Sequence, residues 1–105
     1  MDESTYETCR MEPATIKYMS YDFGGDISEG DSIAVIAAGY PDITNLADGT
    51  DATVPMLRSV QFSGAVVVFS IYSPATDGRY KIEIKAGTAF GELVEGGIIL
   101  EVAQV

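Results

Sequence analysis

Histidine and tryptophan are absent from this chain of 105 residues, and cysteine appears once, at Cys9. The first absence removes Ser-His-Asp and Cys-His nucleophile pairs, together with every histidine-containing zinc site. The lone cysteine rules out an intrachain disulfide and any thiolate cluster; a small domain without disulfides fits assembly in a reducing cytosol. Basic residues are scarce as well. Six lysines and arginines stand against sixteen aspartates and glutamates, a net charge of -10. That balance repels phosphate backbones and anionic membrane surfaces, so neither nucleic acid nor membrane is an expected partner. The longest apolar runs, IAVIAAGY and AVVVF, fall far short of the roughly 20 residues a membrane helix needs. The acidic start, MDESTYETCRMEP, lacks the basic and apolar regions of a secretion signal.

What is present is an apolar share of 47%, enough for a folded core. One domain is expected at this length, burying about 65% of its unfolded surface. Residues 1–14 show no sustained period. They are expected to form an arm, loose in the isolated protein and free to order on a partner. From residue 15 onward the apolar period is two. TIKYMSYDF (15–23) is partly apolar on both faces, and the small residues of DSIAVIAAGY (31–40) suit a strand pressed by a facing sheet. PDITNLADGTDATVP (41–55) reads as turn chemistry between prolines. MLRSVQF (56–62) is a short strand, Ser63-Gly64 a turn, and AVVVFSIYS (65–73) a run apolar on both faces, as a central strand is. In RYKIEIKA (79–86), Tyr80, Ile82, Ile84 and Ala86 oppose Arg79, Lys81, Glu83 and Lys85. A helix would scatter those apolar groups around every side. GGIILEVAQV (96–105) closes the chain as a last strand. Short strands at this spacing, with no helical period, predict an all-β sandwich of about six to seven strands over residues 15–105.

Acidic residues crowd YDFGGDISEGDS (21–32), where Asp22, Asp26, Glu29 and Asp31 stand among three glycines. Calcium loops need oxygen ligands at alternating positions of one tight turn, and this spacing does not supply three. The glycines and the side-chain oxygens of Ser28 and Asp31 instead serve a bend between strands; ADGTDAT (47–53) receives the same reading. Asp22-Phe23-Gly24 repeats the magnesium-binding triplet of protein kinases, but the chain lacks that fold's other signatures and its length. No nucleophile–base constellation can be assembled. Catalysis, a small-molecule substrate, a metal and a cofactor are therefore not expected.

The scarce cations gather. Arg79, Lys81 and Lys85 share one face of one strand, a positive stripe on an acidic protein. Two readings stand: a solvated face that discourages edge pairing, and a docking face for an acidic neighbour, another copy of this chain included. In the arm, Tyr6, Cys9, Arg10 and Met11 offer contacts to a docking partner. Tyr80, entering its strand just after Asp77-Gly78, resembles the tyrosine corner of immunoglobulin-like sandwiches, without the cysteines and core tryptophan of antibody domains.

The order of YDFGGDISEGDSIAV, VVVFSIYSPATDGRYKIEIKAGTAFGE and IILEV is similar to that of small immunoglobulin-like virion proteins of tailed bacteriophages, the fibre–tail adaptor type. Asp22-Phe23, Gly30 to Ile33, Val66 to Phe69, Gly78 to Ile82 and Thr88 to Gly91 carry the resemblance, which covers residues 15 to 103. Two positions depart from it: Ser73-Pro74-Ala75 replaces a double glycine, and Phe69 a tryptophan. The resemblance implies an immunoglobulin-like β-sandwich with a non-enzymatic structural role in the virion, assembled in the host cytoplasm. Its implied partners are tail, fibre, portal–neck or capsid subunits and further copies of itself, with Tyr6, Arg10, Met11, Arg79, Lys81 and Lys85 as candidate contacts. Three rivals remain: a decoration protein cementing the phage head, a carbohydrate-binding module, for which only Tyr40 and Phe90 sit in suitable loops, and a calcium-dependent adhesion module.

Overall fold

A period-two pattern buries one side of each strand, so such strands must pair into sheets and the sheets must face one another. The computed structural model describes residues 6–74 and 76–104. Its elements are β1 (Glu7–Met11), β2 (Ile16–Asp22), β3 (Ile33–Ile36), β4 (Asp42–Asn45), a helical turn α1 (Thr53–Met56), β5 (Leu57–Ser63), β6 (Val66–Tyr72), β7 (Gly78–Thr88) and β8 (Leu93–Val102). One sheet is ordered β1-β8-β7-β3, with β4 also on β7; the other is β2-β6-β5. The chain is an all-β sandwich.

Both β3 and β4 run antiparallel along the same edge of β7, Ile36 opposite Ala86 and Asp42 opposite Glu83. They are two halves of one strand interrupted by residues 37–41. The amide of Ala37 still reaches the Lys85 carbonyl at 2.8 Å before the chain bulges away through Gly39. The stretch expected as turn from residue 41 thus begins as a strand. Its anchor is Ile43, fully buried opposite Ile82.

The core lies between the sheets. β6 contributes Val67, Phe69 and Ile71, β7 contributes Ile82 and Ile84, and β8 contributes Leu100 and Val102, all essentially without solvent contact. Each such side chain stabilises the fold by about 1.5–3 kcal/mol relative to exposure. Met19 and Tyr21 of β2 complete the inner face opposite β8.

Consecutive glycines in β8 set the closest approaches. A Cβ on Gly96 would lie 2.2 Å from the Tyr21 ring on the inner face, and one on Gly97 would lie 2.3 Å from the Tyr6 ring on the outer face. Two aromatic rings therefore rest directly on the β8 backbone, one from each side. The Tyr6 ring helps to hold β1, which pairs parallel with β8 from Glu7 opposite Ile98 to Met11 opposite Val102.

This corrects the expected arm. Residues 7–11 are a strand of the sandwich, and Met11 is a core residue at 5% exposure. The remainder of the arm at residues 1–5 lies outside the described residues. Non-local parallel pairing leaves no local period in the sequence, which is why ETCRM reads as featureless.

Residues 12–15 carry the chain from one sheet to the other around Ser73, which is fully buried. The Ser73 hydroxyl donates to the Glu12 carbonyl at 2.7 Å and accepts from the Thr15 amide at 3.1 Å. Its amide donates to the Thr15 carbonyl, and the Ala14 amide reaches Pro74.

Two stability predictions follow from these contacts. Ser73→Ala leaves the Thr15 amide without its acceptor, while the Glu12 carbonyl keeps the Thr15 hydroxyl at 2.7 Å, and is expected to cost about 1–3 kcal/mol in urea unfolding. Gly96→Ala must displace an inward-packed ring and should lose about 1–3 kcal/mol. Gly97→Ala should lose less, because Tyr6 can swing into solvent. Equal losses for the two glycine variants would refute the two-sided arrangement.

Candidate functional site

The outer face of the larger sheet brings five of the six sequence-predicted contact residues together. In rows across β1, β8 and β7, Arg10 and Arg79 flank Glu101, and Thr8 and Lys81 flank Ile99. Glu83 stands opposite Gly97, Lys85 opposite Glu95, and β4 extends two of these rows with Asp42 and Thr44. Arg10 pairs with Glu101 at 3.1 Å, Lys81 with Glu83 at 3.7 Å and Lys85 with Glu95 at 3.4 Å. The Tyr6 hydroxyl donates to Glu83 at 3.4 Å. Met11, the sixth residue, points into the core.

Four cations (Arg10, Arg79, Lys81, Lys85) thus share this face with four carboxylates (Asp42, Glu83, Glu95, Glu101). The positive stripe expected from β7 alone becomes a neutral ladder once neighbouring strands fill the rows between. Nor is β7 an edge strand whose lysines guard it, since it pairs with β8 on one side and with β3 and β4 on the other. Exposed pairs of this kind contribute about 0–1 kcal/mol each. The face is charge-balanced.

The acidic loops hold their carboxylates close to the backbone. Asp22 accepts from the Gly24 amide at 2.7 Å, Asp48 from Thr50 at 3.0 Å and Asp51 from Thr53 at 2.9 Å. Ser28 donates to Glu92 at 2.6 Å. Asp31 does more than stabilise a local bend: its Oδ1 accepts from Ser32 at 2.8 Å and from Phe90 at 3.0 Å, tying the 23–32 loop to the β7–β8 turn. Burial opposes the Asp31 charge. The Thr88 hydroxyl, beside an enclosed Oδ2 that closes no full hydrogen bond, and the amides of Ser32, Phe90 and Ala89 outweigh that penalty and hold its carboxyl below the ordinary value. Asp48 and Asp51 are held low by the Thr50 and Thr53 hydroxyls and amides. Among the described residues, no three Cys, Asp or Glu side chains converge on a point where an ion would sit.

Tyr80 faces the core, its ring against Gly78. Among the described residues its hydroxyl makes no bond to the upstream backbone, so the tyrosine-corner contact is not formed. Burial, then the charge of Asp48, pushes its phenol up.

Sequence reasoning did not single out the outer face of the smaller sheet. Ile16 and Tyr18 of β2 are 63% and 74% exposed there, beside Val68 of β6. The signal was in TIKYMSYDF, whose two faces are both apolar where one alone is needed for a core.

No protein-family model matches this chain, and no curated protein matches its sequence.

The Asp31 contacts predict a pH dependence. A carboxyl lowered in the folded state adds stability that is complete above the unfolded value of 3.8 and is lost as pH falls through the lower folded value. Asp31→Asn should therefore melt lower than wild type at neutral pH. It should also show a shallower fall in melting temperature below pH 3.8. Parallel melting curves for the two proteins across that range would count against the assignment.

Proposed function

We propose that this chain is a non-enzymatic structural protein of a tailed bacteriophage virion, an immunoglobulin-like adaptor that joins tail fibres to the tail or neck. The observation that carries the reading is where the resembling segments fall. Asp22-Phe23 closes β2, Gly30 to Ile33 leads into β3, Val66 to Phe69 opens β6, Gly78 to Ile82 opens β7, and Thr88 to Gly91 forms the β7–β8 turn. Each is a strand–turn junction, where a shared backbone path demands shared residue types. The strand neighbours support the immunoglobulin-like assignment: β2-β6-β5 and β3-β7-β8 correspond to the B-E-D and C-F-G pairings of that fold.

The mechanism is geometric. A stiff sandwich is repeated around a symmetry axis among tail, fibre, neck or capsid subunits, and many weak contacts acting together hold it in place. The contacts come from the N-terminal segment and one strand edge.

Copy number in the particle tests the proposal. Quantifying the chain against the major capsid protein of purified particles is expected to give about a dozen copies, set by tail symmetry. Hundreds of copies would point to head decoration, and absence from the particle would end the virion reading altogether.

A further inference from the structure

We infer that β2 is a self-pairing edge, through which a second copy of this chain adds its own β2 antiparallel to form one continuous sheet across the dimer. The inference does not rest on the virion reading.

Hydrogen-bond parity defines the edge. The Ser73 amide donates to the Thr15 carbonyl, and the Phe23 amide to the Ala65 carbonyl, at the two ends of an unbroken β2–β6 register. In an antiparallel ladder the residues between must alternate, so Lys17, Met19 and Tyr21 also turn their backbone groups toward β6. Ile16, Tyr18, Ser20 and Asp22 turn theirs outward, where no described strand pairs with them.

The usual protections of an edge are missing here. β2 has no proline and no bulge, and its one lysine is diverted: the Lys17 ammonium donates to the Arg10 carbonyl at 3.0 Å instead of guarding the rim. The opposite edge, β5, is protected. It carries a bulge between Leu57 and Ser59, which breaks the regular row of outward backbone groups, and Arg58 at that bulge stacks on Tyr72 at 5.0 Å.

Self-complementarity names the occupant. With the two-fold axis at Met19, Ile16 lies opposite Asp22 of the second copy and Tyr18 opposite its Ser20, so all four outward-facing residues exchange hydrogen bonds. Lys17 then lies opposite Tyr21 of the second copy, and no like charges face each other. On a chain of net charge -10, this strand carries one lysine and one aspartate, and so is locally neutral. The rest of the molecule repels its copy, so added salt should tighten the pairing.

Sedimentation of the full chain tests this. Wild type is expected to double its mass with rising concentration, at lower concentration when salt is added. Ser20→Pro removes only an outward amide and should stay monomeric with an unchanged circular dichroism spectrum. Val60→Pro, the equivalent change on β5, should dimerise like wild type. A wild type that stays monomeric at every concentration and salt level, or a Ser20→Pro protein that dimerises normally, overturns the proposal. If Ser20→Pro does not fold, amide exchange in wild type decides. Tyr18 and Ser20 amides protected in concentrated solution and released on dilution support the pairing, and amides that exchange fast throughout overturn it.

Discussion

The β8 backbone is the surface on which both halves of the structure are built. Gly96 and Gly97 have no side chains, so a tyrosine ring can lie directly on each face of the strand. On the inside this lets Tyr21 bring β2 close to the larger sheet, where it also packs on Phe23 with ring centroids 4.6 Å apart. On the outside it gives Tyr6 a seat that orients the start of β1. Alternation alone would place both positions in strand interiors, where glycine is unfavourable. Their presence is explained by what they admit.

The same economy governs charge. A net charge of -10 on a small domain sets up self-repulsion, and its effect depends on where the carboxylates sit. Asp26, Glu29, Asp31 and Glu92 gather at one end, beside the β7–β8 turn, and Asp48, Asp51 and Asp77 lie in loops at the other. Several of them stabilise the bends by accepting amide protons, so the acidity of the loops has a structural use. The outer face of the larger sheet is balanced, cation against carboxylate.

Much of this was legible in the sequence, because strands with one buried side print their period directly. Residues 79–86 lie within β7, and 65–73 and TIKYMSYDF match β6 and β2 to within a residue at each end. What the sequence concealed was non-local. β1 owes its place to parallel pairing with a strand some ninety positions away, and β4 to a single isoleucine among turn formers. A strand held by partners instead of by its own pattern has no period to read. The positive stripe failed for a related reason. β7 alone shows its cations, while the carboxylates that balance them come mostly from β8 and β4, and only the register brings them together. Ser73, a departure from the resembling family, likewise looked incidental until the fold placed it under the 12–15 connection.

These distributions constrain how the molecule can meet others. It is elongated, 42 × 25 × 24 Å, with its unbalanced charge at the two tips. Tip-to-tip contact between copies would press carboxylates together in the geometry where repulsion is strongest. Side-to-side contact meets far less resistance. One flank is a neutral ladder, and the other exposes Ile16, Tyr18, Ser20, Ser59, Ser63 and Val68, with Asp22 and Arg58 as the charges at its corners. An acidic protein of this shape is not uniformly repulsive; it directs association to its sides.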